Sequence, residues 1–125
     1  MKHILLVEDD PFLVDIYTTK FKEAGFPIEV AIDGGQALKK IEEKKPDLIL
    51  LDIVLPRLDG WEILAELRDK KITPGLKVVV LSNLGQKSEV DKAFALGATQ
   101  YLIKAHYTPS EVVEKVKKVL ESKKL

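Results

Sequence analysis

The stretch Leu48-Ile49-Leu50-Leu51-Asp52 places four consecutive apolar residues directly before a carboxylate. A short, nearly continuous apolar run is typical of a strand covered on both faces, as parallel strands are in α/β proteins. A further run, Ile28-Glu29-Val30-Ala31-Ile32, alternates more in polarity and predicts an edge strand. Nearly continuous apolar runs like Leu48–Leu51 recur on both sides of it in the sequence, as Ile4-Leu5-Leu6-Val7, Val78-Val79-Val80-Leu81 and Tyr101-Leu102-Ile103. The sequence therefore predicts a parallel sheet of five strands.

Helical patterns lie between and after these runs. Short connections and right-handed crossovers leave few topologies for five strands that alternate with five helices. We expect an α/β fold of three layers, in which helices cover both faces of an open, doubly wound sheet. The predicted helix starts and markers are Asp10-Pro11, Asp33, Asp59-Gly60, a weaker pattern of Val90, Ala93, Phe94 and Gly97, and a capping box of Thr108 and Glu111.

Composition excludes several classes of function. The 125 residues include 20 Lys plus Arg and 20 Asp plus Glu, so there is no general basic excess to meet nucleic-acid or membrane phosphates. Cysteine is absent, which rules out disulfides and thiolate chemistry. No apolar run approaches the roughly 20 residues that span a bilayer. We expect a cytoplasmic protein that inserts into no membrane and binds no nucleic acid directly.

Polar side chains follow the predicted strands, and in open α/β sheets the ligand site lies at the carboxyl ends of the strands. Glu8-Asp9-Asp10 follows the first strand, Asp52 the third, Ser82-Asn83 the fourth, and Lys104 the fifth. Carboxylates brought together raise one another's pKa unless a cation lies among them. Oxygen ligands favour magnesium, calcium or manganese, and a few carboxylates with water left on the metal favour magnesium.

A lysine and a hydroxyl facing the same acids indicate that an anionic group also binds there. The metal, the Lys104 ammonium and the Ser82 hydroxyl would each take one oxygen of a phosphoryl group. Carboxylates are known nucleophiles toward phosphoryl groups and form acyl phosphates. The pattern therefore predicts phosphoryl chemistry at this edge of the sheet.

Four strings carry these residues: residues 4–10 (ILLVEDD), residues 50–60 (LLDIVLPRLDG), residues 80–82 (VLS) and residues 97–104 (GATQYLIK). Together they closely resemble the receiver domain of bacterial two-component response regulators, the CheY-like class. The match covers essentially all 125 residues in the right order. The resemblance implies a flavodoxin-like (βα)5 fold with strand order 2-1-3-4-5, and one stand-alone receiver domain over residues 1–125.

The resemblance also implies a role for each matching residue. The protein would be a signalling phosphoacceptor rather than an enzyme, and would catalyse only its own phosphorylation and dephosphorylation. A sensor histidine kinase or a histidine phosphotransfer protein would donate the phosphoryl group. The implied roles are phosphoacceptor for Asp52, ligands of Mg²⁺ (or Mn²⁺) for Glu8, Asp9, Asp52 and the backbone carbonyl of Val54, phosphoryl binding for Ser82 and Lys104, and switching for Ser82 and Tyr101.

Phosphorylation would change the surface formed by the fourth helix, the fifth strand and the fifth helix. That surface would control a downstream protein partner, and a homodimer through it is compatible with the sequence. Asp10 is first of all a helix cap, so a metal role for it is a secondary reading. Three positions depart from the family pattern: Ala105 stands where proline commonly follows the lysine, Val54 is apolar, and Asn83 is larger than the usual small residue.

Other functions fit parts of the pattern. A dehalogenase-like, magnesium-dependent phosphatase also uses an Asp after a strand, but its second acid would fall at Val54. A flavin binder of flavodoxin type would need a phosphate loop rich in glycine and hydroxyls where this chain has acids. A receiver acting as an adaptor without phosphorylation would not need the intact set of acids, hydroxyl and lysine.

Overall fold

The computed structural model describes residues 2–56, 59–70 and 75–121. Within these ranges five strands alternate with five α-helices, as the sequence predicts. None of the helices in these ranges is long and apolar enough to span a bilayer. The elements are β1 (Ile4–Val7), α1 (Pro11–Glu23), β2 (Ile28–Ala31), α2 (Gly34–Glu43), β3 (Leu48–Leu51), α3 (Gly60–Asp69), β4 (Lys77–Ser82), α4 (Lys87–Ala95), β5 (Gln100–Ile103), the 3₁₀ helix η1 (Lys104–His106) and α5 (Pro109–Glu121).

The five strands form one parallel sheet in the order β2-β1-β3-β4-β5, which confirms the expected fold and strand order. The register aligns the carboxyl ends of the two strands that precede the acids, because Val7 pairs with Leu51. At the far side of the sheet, Ser82 pairs with Ile103. The residues that follow these strands therefore meet at one edge. β2 lies at the sheet margin, as its alternating pattern predicts, and β5 forms the other margin.

The two faces of the sheet bury separate apolar cores. One face packs against α2, α3 and α4, where Ile41, Leu64 and Ala93 are buried. The other face packs against α1 and α5, where Phe21 and Val116 are fully buried. Burying one such aliphatic or aromatic side chain contributes about 1.5–3 kcal/mol, so these layers hold the strand ends in place.

The helix starts agree with their predicted caps. Asp10 accepts the backbone N–H of Phe12 at 2.9 Å, and the capping box joins Thr108 to Glu111 in both directions, at 2.8 and 3.1 Å. The weak fourth pattern is wrong in one detail. α4 ends at Ala95, and Gly97 lies beyond it with a φ of 105°. This left-handed backbone turns the chain into β5, a conformation that glycine adopts without steric cost.

Candidate phosphoryl and metal site

Two carboxylates of the site are held by backbone that continues the sheet. The Glu8 N–H donates to the carbonyl of Ala31 at 3.0 Å, and the Asp52 N–H donates to the carbonyl of Val7 at 3.1 Å. Both residues therefore stand on rigid strand ends rather than on free loops. The sequence places them at this edge because each follows a fully apolar strand.

Glu8, Asp9 and Asp52 form an acidic cluster. One carboxylate oxygen from each lies within 4.8 Å of the other two. Glu8 is 2% exposed and Asp52 is 7% exposed, whereas Asp9 reaches solvent. Burial raises the pKa of Glu8; the hydrogen bond from Lys104 opposes this shift and the charge of Asp52 adds to it. The cluster thus has the oxygen atoms, the charge and the solvent access that a hard divalent cation requires.

Lys104 bridges the two buried acids. Its Nζ donates to Glu8 Oε1 at 2.7 Å and to Asp52 Oδ2 at 2.8 Å. Burial by itself lowers the pKa of Lys104, but the hydrogen bonds and charges of Asp52 and Glu8 outweigh it and hold that pKa above its ordinary value. The ammonium therefore lies where it offsets the charge repulsion between the two carboxylates.

The second oxygen of Asp52 is oriented by the segment that follows it. The Val54 N–H donates to Asp52 Oδ1 at 3.2 Å. The first residue of α3 also holds this segment, because the Gly60 N–H donates to the carbonyl of Ile53 at 2.8 Å. Both carboxylate oxygens of Asp52 therefore have a donor. Arg57 and Leu58, which belong to the quoted motif, lie outside the described residues.

Ser82 and Tyr101 meet at the loop between β4 and α4. The Leu84 N–H donates to Ser82 Oγ at 3.3 Å, and the Tyr101 hydroxyl donates to the Leu84 carbonyl at 2.5 Å. The Tyr101 side chain is buried, and burial raises its pKa, with the charge of Glu89 adding to the shift. A movement of Ser82 would therefore reach Tyr101 both directly, through the hydrogen bond between their side chains, and through the backbone of Leu84.

Asp10 and Asn83, which also follow strands at this edge of the sheet, have structural partners. Asp10 turns its carboxylate toward the start of α1, and among the described residues the acidic cluster is made of Glu8, Asp9 and Asp52 without it. Asn83 Oδ1 accepts the backbone N–H of Ala105 at 3.1 Å. The structure therefore separates Asp10 from the candidate metal ligands and joins Asn83 to the loop that carries Lys104.

One residue near the site was not predicted from the sequence. Tyr17 of α1 is 3% exposed, and its sequence pattern indicated only a place in the helix core. Burial raises the pKa of Tyr17, the charge of Lys104 opposes this shift, and the charges of Glu8 and Asp52 add to it. The only sequence signal for Tyr17 was its position on α1, the helix that starts directly after Glu8, Asp9 and Asp10.

The chain matches the family model described as the response regulator receiver domain over residues 4–117. It is 39% identical over 121 residues to the alkaline phosphatase synthesis transcriptional regulatory protein PhoP of Bacillus subtilis, covering 95% of this chain and 48% of PhoP. It is 34% identical over 119 residues to the chemotaxis protein CheY of Thermotoga maritima, covering 94% of this chain and 97% of CheY. It thus spans about half the length of PhoP and nearly all of CheY.

The fold is also that of solved receiver domains. The receiver domain of the Francisella response regulator 1452 superposes with a TM-score of 0.90 at 30% sequence identity, covering 99% of this chain and 100% of that one. Receiver domains are signalling proteins of two-component systems, and the acidic cluster, the hydroxyl and the lysine lie at the strand ends where the resemblance places them. This protein is a member of the response regulator receiver domain family.

Proposed function

We propose that this chain is a phosphorylation-dependent switch whose phosphoacceptor is Asp52. The observation that carries the proposal is the contact between the buried Asp52 carboxylate and the partly buried Lys104 ammonium, 2.8 Å apart, beside two further acids. A histidine kinase or a histidine phosphotransfer protein would supply the phosphoryl group. We also propose a cytoplasmic location, control of a downstream protein, and no direct contact with nucleic acid.

The chemistry follows from the partners of Asp52. A carboxylate oxygen of Asp52 attacks the phosphorus of the donor's phosphohistidine. The new O–P bond forms as the P–N bond breaks, and the imidazole leaves with the electron pair of that bond. Lys104 lies 2.8 Å from Asp52 Oδ2, so its ammonium is placed to neutralise a phosphoryl oxygen. Ser82 is fully buried at the end of β4, and its hydroxyl would donate a hydrogen bond to a second phosphoryl oxygen.

The acidic cluster fits Mg²⁺, or Mn²⁺, which takes the same oxygen ligands. Glu8, Asp9 and Asp52 would hold the ion together with the backbone carbonyl of Val54. When bound, the ion supplies positive charge that offsets the repulsion between the carboxylates and the incoming phosphoryl oxygens. Asp10 is left out of this set because its carboxylate caps α1.

The readout of phosphorylation would run through Ser82 and Tyr101. Ser82 Oγ now accepts a hydrogen bond from Leu84, whose carbonyl also binds Tyr101. A phosphoryl group that draws Ser82 toward Asp52 would shift Leu84 and change the environment of Tyr101. Differential binding of the phosphoryl group to the two arrangements would supply the energy of the switch. The surface of α4, β5 and α5 would then bind a downstream protein or a second copy of the chain.

Labelling by a small phosphodonor in the presence of Mg²⁺ tests the acceptor. Asp52→Asn should abolish the label while circular dichroism shows the fold retained. Asp15→Asn is the matched control, because Asp15 is an exposed carboxylate of α1, and this variant should label like the parent. Full labelling of Asp52→Asn would reject the assignment.

Beryllium fluoride, a phosphoryl mimic, tests the switch separately. With Mg²⁺ present, we expect backbone NMR shifts at Asp52, Ser82, Tyr101 and Lys104 that extend into α5. Shifts that stop at the acidic cluster would leave the acceptor intact and contradict the switch.

A further inference from the structure

Asn83 and Ala105 are brought together by the register of two strands. Ser82 of β4 pairs with Ile103 of β5, so the residues that follow this pair leave the sheet side by side. Asn83 Oδ1 accepts the Ala105 N–H at 3.1 Å. Both residues are exposed, and the bond joins the β4–α4 loop to the segment after β5.

This bond supplies an acceptor for the start of η1. The first N–H groups of a helical turn have no partner within the turn and need an acceptor from elsewhere. Ile103, in the cap position of η1, has no polar side chain and makes no capping bond. The turn closes on itself through the Tyr107 N–H and the Lys104 carbonyl at 3.3 Å. Asn83 therefore caps η1 from a different loop, as an aspartate or asparagine would do from within the same chain segment.

The capped turn carries Lys104 as its first residue. The Lys104 side chain is long and loses rotamer freedom when both Glu8 and Asp52 hold its ammonium. That loss is smaller if the backbone of Lys104 already stands in the right place. Asn83 is also covalently joined to Ser82 and Leu84, the two residues linked by the Ser82 Oγ bond. The hydrogen bond from the Ala105 N–H to Asn83 Oδ1, called the tether below, thus connects the segment that carries the Ser82 hydroxyl to the segment that carries Lys104.

We infer that Asn83 is a positioning residue, which places Lys104 for the phosphoryl group through its bond to the Ala105 amide. This inference rests on the proposed function, in which Lys104 binds the phosphoryl group. Asn83 itself touches neither Asp52 nor the acidic cluster in the contacts of the described residues. We expect its influence to pass mainly through Lys104, and the double-mutant cycle below separates this route from one through Ser82.

A double-mutant cycle tests this route. Asn83→Ala should lower the rate of Asp52 labelling by about two- to tenfold, the effect of losing one such hydrogen bond. In a Lys104→Gln background the same change should alter the remaining rate by less than about twofold, because residues acting through one another are not additive. His106→Ala is the matched control, since it alters η1 without touching the tether, and it should label like the parent.

NMR of the unphosphorylated protein provides a readout that does not depend on labelling. In Asn83→Ala, the Ala105 amide should exchange faster with solvent and the Lys104 ammonium signal should broaden. Asn83→Asp keeps an oxygen in the same place and should restore the protection of that amide.

Two results would overturn the inference. One is that Asn83→Ala lowers the labelling rate by the same factor in the parent and in the Lys104→Gln background. The other is that the Ala105 amide is as well protected from exchange in Asn83→Ala as in the parent. If Asp52 is not the phosphoacceptor, the parent protein itself will fail to label there. The amide and ammonium signals would still respond to Asn83, so failure of the proposed function is distinguishable from failure of the tether.

Discussion

Gly60 offers a sharp test of how α3 positions the phosphoacceptor. A Cβ at this position would lie 2.5 Å from Ile53 Cα and 2.7 Å from the Asp52 carbonyl oxygen. Ordinary contact begins at 3.4 Å, so Gly60→Ala forces the helix start and the strand end apart by about 0.9 Å. Both neighbours are backbone, which cannot rotate away as a side chain can. Overpacking of this kind costs about 1–3 kcal/mol, against a gain of at most about 1 kcal/mol from replacing a helical glycine.

We expect Gly60→Ala to lower the free energy of unfolding by about 1–2 kcal/mol in urea titrations. Since the displaced segment carries Asp52, labelling should also slow, by up to about 100-fold for a shift near 1 Å. Gly35→Ala is the matched control near the start of α2, where the new Cβ would meet Asp33 Oδ1 at 3.4 Å. That variant should be as stable as the parent or slightly more so. A Gly60→Ala protein that unfolds and labels like Gly35→Ala would refute the reasoning.

Three further predictions concern the buried polar groups. Lys104→Ala leaves the Glu8 and Asp52 carboxylates without their ammonium, so without Mg²⁺ the free energy of unfolding in urea should fall by up to about 3–5 kcal/mol. Added Mg²⁺ should restore part of this free energy, and an unchanged urea midpoint would contradict the prediction. Tyr101→Phe removes one hydrogen bond and should cost about 0.5–1.5 kcal/mol in the same assay, with no loss of Mg²⁺ affinity. The pKa of Tyr17 is raised above 10.0 by burial, so the unfolded chain releases this proton first. Stability from Tyr17 is therefore present below pH 10.0 and lost as pH rises through the raised pKa, and Tyr17→Phe should flatten that alkaline decline in unfolding free energy.

The strands could be predicted almost to the residue because burial on both faces leaves no room for polar side chains. All four residues of β3 are buried, and its bounds equal those of the predicted run. The margin strand β2 was recognised because Glu29 interrupts its apolar pattern. The position of β5 at the sheet margin was harder to predict, because its two central residues, Tyr101 and Leu102, are buried.

The helices were predictable where a cap and an apolar face coincide, as in α1 and α5. α4 was less so, because Phe94 follows the helical spacing of the buried Ala93 pattern yet is 44% exposed. An apolar residue at helical spacing does not reveal whether another element covers it. The end of α4 depends on the backbone turn at Gly97, which spacing alone also leaves open.

For the site, the sequence predicted which side chains converge but not which atoms bond. The strand ends bring the acids and Lys104 to one edge in any parallel sheet of this order, so their proximity follows from topology. That Lys104 bridges Glu8 and Asp52, and that Asn83 reaches Ala105, depends on loop paths after the strands. Those hydrogen bonds join segments that are distant in sequence, so local sequence patterns do not reveal them.

The bridge made by Lys104 has a consequence for which ions the pocket can select. A covalently attached ammonium never diffuses away, so its local concentration beside Glu8 and Asp52 far exceeds that of any free salt. A monovalent ion such as potassium would bring no more charge than the lysine already provides, and would gain little by replacing it. A divalent ion brings twice the charge and would also engage the exposed Asp9, since Lys104 donates to Glu8 and Asp52. We therefore expect Lys104 to weaken the binding of monovalent ions at the acidic cluster more than the binding of divalent ions such as Mg²⁺.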